Sequence, residues 1–464
     1  MYDNMPIRYR FARRSHALAL GVALVVAGCA SYRPLPLNDH PRLPADAAAV
    51  KVDTARLPFP ALAVHKFDPT DGLDMTETAT LAVINNPDLR LARDDAGVAR
   101  AQAFAAGLLP DPQFTLGRDY PRQSSPGLTS AYNVGLGYDL NALVTHAAGA
   151  SAARAGSRKT DLNLLWQEWQ TVAHARLLFS RAVTDARLTD WSNKNRDLLA
   201  KRYRQAQAAL AAGDTTADAA SGALAAWQDA ARQASDLKRQ RVRTEHKLDA
   251  LLGLAPEAKL HLVGDETLAA PDAPAARRAL KDLASRRPDL LALKAGYAAQ
   301  DARYRQAILA QFPPLNLALT AARDTGGILT RGFALAVALP VLNGNRGNVR
   351  IEDATRRRLH DEYESRVAAA RAEVAQLLAD QRLIAGQLHT AEQALPALDQ
   401  AADEARWALD KGNLDGGAFA AIESARIARH VEAINLRQSL TESRIALLDL
   451  LGGEFPAARP EASK

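Results

Sequence analysis

One stretch of the chain, from Arg346 to Lys411, favours a single helix and limits what the protein can fold into. Small or apolar residues recur in it at alternating spacings of four and three, with Gln381 as the only polar interruption. A seven-residue period is typical of helices that wrap around one another. At about 1.5 Å per residue, such a helix is roughly 100 Å long, far beyond the diameter of an ordinary domain. The helix therefore requires partners of comparable length.

The chain supplies a partner because it repeats itself at an offset of about two hundred residues. Asn86-Pro87-Asp88-Leu89 is echoed by Arg287-Pro288-Asp289-Leu290, and Leu251-Leu252-Gly253 is echoed by Leu450-Leu451-Gly452. The first-repeat counterpart of the long helix is Ala147 to Ala212. A tandem duplication therefore predicts one long helix in each repeat, and the two helices are expected to have the same length.

The first 28 residues have the pattern of a bacterial export signal. Four arginines precede an apolar run from Ala17 to Val26, which is too short to span a membrane permanently. The run ends in Val26-Ala27-Gly28-Cys29, which is similar to the lipobox of bacterial lipoproteins, where the cysteine becomes the acylated first residue. Ala30 stands where an aspartate would mark inner-membrane retention, so the resemblance implies the outer membrane. An ordinary signal that happens to end near a cysteine is the alternative.

Charge and cysteine content exclude some classes of protein. The formal net charge is +6 at pH 7, and the four arginines and one aspartate before Cys29 account for three of these charges. The mature chain is nearly balanced, which argues against a nucleic-acid partner. Cys29 is the only cysteine, so the chain cannot form an intramolecular disulfide.

The remaining chain divides into a tether, two repeats and a linker between them. We expect residues 29–72, which contain seven prolines, to form an extended tether without helices. The first repeat is assigned to 73–253, with a hairpin at 113–140, a long helix at 147–212 and a return helix at 215–252. After a linker at 254–274, the second repeat covers 275–452, with a hairpin at 315–339, a long helix at 346–411 and a return helix at 414–451. Residues 453–464 form a tail.

Each repeat contains two runs in which apolar residues alternate with small or polar ones, as in Tyr132 to Leu140 and Phe333 to Leu339. This alternation predicts strands with one apolar face. The runs are nearly as long as the roughly 9 to 11 residues of a tilted membrane strand, and each pair leads into a helix too long for a soluble domain. Two hairpins packed on a soluble core are therefore disfavoured. Four strands cannot close a barrel, so the sequence predicts an obligate oligomer with a shared membrane barrel and a tube of long helices.

The order of these elements, occurring twice after a lipobox, resembles the TolC-type outer membrane efflux channels. Leu339-Pro340-Val341-Leu342-Asn343-Gly344-Asn345-Arg346 is similar to the strand-to-helix corner of that family. Gly107-Leu108-Leu109-Pro110-Asp111-Pro112 resembles its helix-to-strand corner, particularly in members paired with metal-exporting pumps. The resemblance covers essentially Met75 to Gly453.

This resemblance implies a mainly α-helical protein with membrane β-structure. It implies a homotrimer whose shared barrel has twelve strands, four from each chain, and whose long helices form a tunnel across the periplasm. It also implies a periplasmic membrane-fusion adaptor and a proton-driven inner-membrane efflux pump as partners, and no cofactor. The protein would be lipid-anchored in the outer membrane of a Gram-negative bacterium and would extend into the periplasm.

Prolines and glycines mark the predicted corners. They begin a helix, stop a helix or let a strand turn into a helix, at Pro87, Pro110, Pro112, Pro288, Pro340 and Gly344. At the far ends of the long helices, Gly213-Asp214 and Gly412-Asn413 are the predicted reversals. Glycine there suits a left-handed cap, and we expect Asp214 or Asn413 to accept backbone hydrogen bonds from the return helix. These reversals lie roughly 100 Å from the hairpins and are candidates for adaptor contact.

Charged residues cluster at the second reversal and are candidates for a gate: Asp403, Arg406, Asp410, Lys411 and Asp415. The family resemblance implies closure by ion pairs between neighbouring chains, and an acidic ring would favour cations. Solvated charges at a helix end are the alternative. Pro396 lies roughly 24 Å from this tip, and its first-repeat counterpart is Asp197. We hypothesise that Pro396 kinks the second-repeat helix pair inward.

Two functional classes fit the sequence. One is a passive conduit for small toxic solutes, either drugs or metal ions, and a conduit for type I protein secretion is a variant of it. The other is a periplasmic coiled-coil lipoprotein spacer without a pore. The histidines show no metal-ligand spacing, and the sequence has no nucleophile elbow or phosphate loop, so neither a metal site nor an enzyme is expected.

Overall fold

A computed structural model describes residues 32–40, 42–54, 57–122, 126–264, 268 and 273–452. The signal-like segment at 1–28, the lipidation candidate Cys29 and the tail at 453–464 lie outside the described residues. The chain divides into two units. The described residues of the first unit, Met1–Leu43, contain neither helix nor strand, whereas the second unit, Pro44–Lys464, holds the helices and strands.

The second unit is mainly helical with one small antiparallel sheet. Its helices are α1 (Pro60–Val64), α2 (Met75–Asn85), α3 (Pro87–Ala106), α4 (Leu140–Ala212), α5 (Ala217–Leu251), α6 (Ala273–Lys281), α7 (Leu283–Arg286), α8 (Pro288–Leu309), α9 (Arg346–Asp410) and α10 (Gly416–Leu451). Its strands are β1 (Gln113–Asp119), β2 (Ala131–Asp139), β3 (Leu315–Arg323) and β4 (Leu329–Val337). No helix within the described ranges is both long and apolar enough to cross a membrane.

The two long helices are α4, with 73 residues, and α9, with 65 residues. At about 1.5 Å per residue they are roughly 110 and 100 Å long. The prediction of equal lengths is wrong because α4 begins at Leu140, directly after β2. The carboxylate of Asp139 makes this possible by accepting hydrogen bonds from the amides of Asn141 (2.9 Å) and Ala142 (3.4 Å). In the second repeat a loop containing Pro340 separates β4 from α9.

The prediction of a tether without helices is wrong for residues near Pro60. Pro60–Val64 forms α1, and a proline in the first turn removes no helical hydrogen bond. Phe59 and Leu62 are fully buried, and the ring of Phe59 lies 5.6 Å from that of Trp169 in α4. Burial of two large apolar side chains holds this segment against the helices, at about 1.5–3 kcal/mol for each side chain.

The packing of the second unit is organised around α4, which contacts α2, α3, α5, α8 and α10, whereas α9 packs mainly on α8 and α10. The core along α9 includes Val374, Leu388 and Ala391, which belong to the seven-residue pattern seen in the sequence. Gln381, the polar interruption of that pattern, donates a hydrogen bond from Nε2 to the carbonyl of Ser443 at 3.1 Å. The interruption is therefore paired with the return helix.

The four strands form one antiparallel sheet in the order β1-β2-β3-β4, so the two repeats pair through β2 and β3. Leu136 lies opposite Phe114 on β1 and Leu319 on β3, and Leu319 lies opposite Phe333 on β4. These four side chains are exposed and share one face of the sheet. The other face carries small and polar residues, including the row Thr115, Gly135, Thr320 and Gly332. Strands β1 and β4 form the edges.

Candidate functional site

The two helix reversals have the same backbone geometry. Gly213 and Gly412 are left-handed, with φ of 80° and 74°. The next residue in each turn donates its amide to a carbonyl near the end of the long helix, Asp214 to Ala209 and Asn413 to Ala408, both at 2.8 Å. A Cβ atom at either glycine would meet nothing within 4 Å. Glycine is therefore required at the tip by backbone conformation and not by lack of space.

The return helices are capped by residues other than those predicted. Thr216 accepts a hydrogen bond from the amide of Ala219 at 3.3 Å, and Asp415 accepts from the amides of Gly417 (2.7 Å) and Ala418 (2.9 Å). The prediction that Asp214 or Asn413 performs this role is wrong. An N-cap must stand directly before the first helical residue, whereas these two residues belong to the preceding turn.

The five gate candidates are all exposed. Within the described part of the chain, none of them forms an ion pair with another residue of the same protomer. The guanidinium of Arg406 lies 5.7 Å from the ring centre of Phe419, and Asp403, Asp410 and Lys411 extend into solvent. Hydrogen bonds from Ala418 and Gly417 lower the pKa of Asp415, which therefore already has a capping role. Any ion-paired ring at this tip requires side chains from other copies of the chain.

Pro396 lies inside α9, and the helix continues through it from Arg346 to Asp410. Its side chain is exposed. Because proline has no amide hydrogen, the carbonyl of Glu392 lacks its usual helical partner. One turn further along α9, Asp399 begins a polar cluster that the sequence analysis did not identify.

This cluster, which we call the Trp191 cluster, joins α4, α9 and α10 and consists of Trp191, Asp399, Glu423, Arg426 and His430. The rings of Trp191 and His430 stack with centroids 4.4 Å apart. Asp399 lies 2.9 Å from His430 Nε2 and 3.3 Å from Arg426, and Arg426 also pairs with Glu423 at 2.6 Å. The hydrogen bond from His430, followed by that from Arg426, lowers the pKa of Asp399. The cluster therefore links α4, the long helix of the first repeat, to the helical hairpin that α9 and α10 form in the second repeat.

A second set of contacts extends this link on both sides. Ser424 lies 3.2 Å from Asn195, and Arg181 on α4 pairs with Glu442 on α10 at 2.7 Å. Arg437 on α10 pairs with Glu392 on α9. The first two contacts therefore join α10 to α4, and the third joins α10 to α9.

The corner residues lie at the ends of the predicted elements. Pro87 and Pro288 stand in the first turns of α3 and α8, whereas Pro110 and Pro112 separate α3 from β1. Gly344 and Asn345 are left-handed, with φ of 53° and 55°. Asn345, which the sequence analysis did not single out, donates from Nδ2 to the carbonyl of Ala307 at 2.9 Å. That bond ties the start of α9 to the end of α8.

One group of side chains in the described residues has the composition of a metal site: His65, Asp74 and Glu77. Glu77 accepts hydrogen bonds from the amides of Asp68 (2.7 Å) and Asp74 (3.0 Å). Asp74 accepts from the amides of Thr76 and Glu77, both at 2.7 Å. The carboxylates therefore form a capping box at the start of α2, which accounts for their proximity without a metal.

Each of the two repeats joins a strand hairpin to a long helical hairpin, and known proteins share this arrangement. Residues 279–453 match the family model described as outer membrane efflux protein. The predicted resemblance to outer membrane efflux proteins is confirmed. No curated protein matches the sequence.

Solved structures of outer membrane channels have the same fold. The chain matches the Campylobacter jejuni CmeC outer membrane channel with a TM-score of 0.69 and 15% identity, over 93% of this chain and 96% of CmeC. It matches the outer membrane protein VceC of Vibrio cholerae with a TM-score of 0.66 and 15% identity, over 82% and 96%. The open state of the Neisseria gonorrhoeae MtrE outer membrane channel matches with a TM-score of 0.64 and 19% identity, over 82% and 88%.

These matches confirm the predicted fold class, in which long helices adjoin membrane strands. At such identities they show the fold alone. The efflux proteins and channels that the chain resembles are not enzymes, as expected for this chain.

Proposed function

We propose that the protein is the outer membrane channel of a tripartite efflux system. The observation that carries this proposal is the sheet, which exposes an apolar face and leaves two strand edges without a partner in the described chain. Unpaired strand edges are costly in lipid, so the strands must be completed by other copies. Three copies would contribute twelve strands, which is within the range of membrane barrels.

The long helices support the second part of the proposal. Helices of roughly 100 Å that lead away from the sheet would reach far from the membrane, and their reversals would then lie deep in the periplasm. We infer that these reversals contact a periplasmic membrane-fusion adaptor and that an energised inner-membrane pump delivers the solute. Lipid attachment through Cys29 would hold the assembly in the outer membrane of a Gram-negative bacterium.

Small toxic solutes, either drugs or metal ions, are the proposed cargo. The exposed tip residues Asp403, Asp410 and Asp415 would form acidic rings in a trimer and would favour cations. Selection between drugs and metals would belong to the pump. A conduit for secreted polypeptides shares the same geometry and is the second candidate.

Dye release from liposomes tests this proposal. Full-length protein is reconstituted into neutral liposomes that contain a small fluorescent dye, and its mass in detergent is measured in parallel. A trimer that releases the dye, alone or with an adaptor, is the expected result. Monomeric protein, or an inserted trimer that releases no dye under either condition, would contradict the proposal and favour a spacer.

A further inference from the structure

The apolar face of the sheet ends in a row of arginines at the side of the loops. Arg118 on β1 lies opposite Tyr132, and Tyr132 lies opposite Arg323 on β3. Arg331 on β4 lies opposite Ala321, two residues before Arg323. Because side chains alternate along a strand, these three arginines share the face that carries Phe114, Leu136, Leu319 and Phe333. We call Arg118, Arg323 and Arg331 the arginine border.

The arginine border is not neutralised within the chain. Asp119 follows Arg118 in the strand and therefore lies on the opposite face. The Oδ1 atom of Asp324 accepts the amide of Ile328 at 2.9 Å inside the hairpin turn. Among the described residues, no carboxylate forms an ion pair with any of the three guanidinium groups, and Nε of Arg323 is buried without a hydrogen-bond partner. Positive charge therefore accumulates on one border of an apolar surface.

The distribution of charge along this face is one-sided. The four strands contain no other lysine or arginine, so the helix end of the same face carries no cation. Tyr132 lies between Arg118 and Arg323, and the ring centre of Tyr120 lies 5.1 Å from the guanidinium of Arg118. Tyrosine and arginine together are typical of the level at which lipid headgroups meet acyl chains.

We propose that the arginine border binds the phosphate groups of a phosphorylated lipid in the leaflet on the loop side of the membrane. The proposal rests on the proposed function, since it requires the sheet to face lipid. Guanidinium groups bind phosphate oxygens in pairs, and the acyl chains of the same lipid would cover the adjacent apolar face. Free phosphate would satisfy the arginines without covering Phe114 or Phe333, so the lipid is the better match.

Retention of lipid A by the full-length protein tests the inference, with phosphatidylcholine as the neutral lipid. Protein in neutral detergent is mixed with each lipid, and retained lipids are counted by native mass spectrometry. We expect the triple variant Arg118→Gln, Arg323→Gln, Arg331→Gln to retain lipid A at least fivefold less, with phosphatidylcholine unchanged. The matched control, Arg366→Gln, Arg371→Gln, Arg382→Gln, removes the same charge from exposed positions of α9 and should retain lipid A like the wild type.

Three results would overturn the inference: equal retention by both triple variants, loss in the α9 control, or displacement of lipid A from the wild type by inorganic phosphate at equal concentration. If the triple glutamine variant fails to assemble, two other variants take its place. One is the single variant Arg331→Gln, and the other is Arg→Lys at the same three positions, which keeps the charge. Dye release from phosphatidylcholine liposomes separates the two proposals. If the triple glutamine variant releases dye and retains lipid A like the wild type, only the arginine border is rejected. If the wild type itself releases no dye, the channel is rejected.

Discussion

His430 lies with Nε2 at 2.9 Å from Oδ1 of Asp399, and this pair joins α10 to α9. At about 1.5 Å per residue, Asp399 lies roughly 20 Å from the second helix tip. The ring of His430 also stacks on Trp191 of α4. The helical hairpin of α9 and α10 is therefore held together internally and is also held against α4 of the first repeat. Outward movement of α9 and α10 away from α4 must break the Trp191–His430 stacking and the Arg181–Glu442 ion pair.

We expect Asp399→Asn to loosen this link. The pKa of Asp399 is lowered in the folded protein, so its carboxylate stabilises the fold above the pKa of the unfolded chain, and this contribution is lost as pH falls through the lowered folded pKa. Protection factors of the amides in residues 395–430 of the wild type, which correct for the intrinsic pH dependence of exchange, should therefore fall below about pH 4. In Asp399→Asn the protection should already be lower at pH 7 and should change less on acidification. Equal exchange in both proteins at pH 7 would contradict a holding role.

Asp449 leads to the opposite pH dependence. Burial raises its pKa to about 6, with Asp289 adding to the shift and Arg287 opposing it. The folded state then binds the proton more tightly than the unfolded state, so stability should fall as pH rises from about 4 to about 6. Asp449→Asn should raise the thermal midpoint at pH 8, by a gain of at most about 3 kcal/mol, and change it little at pH 4.

The variant Asp289→Asn provides the contrast. Asp289 binds the buried Arg287 with both oxygens, at 2.8 and 2.6 Å. Its neutralisation removes the charged, doubly hydrogen-bonded partner of that arginine and should lower the thermal midpoint, at a cost of roughly 3 kcal/mol. A higher thermal midpoint for Asp289→Asn, or a lower one for Asp449→Asn at pH 8, would contradict these roles of the two carboxylates.

The tip glycines should tolerate alanine poorly. Gly213→Ala and Gly412→Ala place a Cβ on left-handed backbone and should each cost about 1 kcal/mol. Gly222→Ala and Gly386→Ala lie within helices, where a Cβ meets nothing within 4 Å, and should gain about 0.5–1 kcal/mol. Thermal midpoints of the four variants measure both effects. If the thermal midpoint shifts in the same direction in the tip variants and in the helix variants, the conformation of the tip does not control stability.

Pro396→Ala tests the hypothesis that proline kinks the second-repeat helix pair, α9 and α10, inward. Restoring the amide hydrogen should straighten α9 and raise the closed-state conductance. Asp197→Ala is the matched control, since Asp197 occupies the equivalent position of α4 and its one ion pair among the described residues is with its neighbour Arg196. Closed-state conductance of Pro396→Ala equal to that of the wild type would remove the basis for a kink.

The amino-acid sequence predicts the structure best where a local pattern determines it. The seven-residue period predicted α9 to within one residue at its end, and period-two alternation predicted the strands because each pattern follows from the geometry of a single element. The predicted start of α4 was wrong because its cap, Asp139, also ends a strand. The segment around Phe59 was misjudged because its prolines suggested extended backbone, whereas burial against Trp169 depends on residues far away in the chain.

The candidate site was less predictable for the same reason. Gly213 and Gly412 carry a local signal, but Trp191, Asp399 and His430 come from three helices and meet only after the repeats pack together. No spacing in the sequence marks them. The gate residues concern contacts between copies of the chain and therefore stay a prediction.

Conductance in planar bilayers decides whether this protein is a gated conduit. We would compare the wild type with Asp410→Ala combined with Asp415→Asn, because asparagine keeps the cap of α10 while removing the charge. We expect discrete channels in the wild type, with lower cation preference or easier opening in the variant. Trimeric, membrane-inserted protein that forms no channels even with its adaptor present would contradict the conduit, and identical channels in both proteins would contradict the gate.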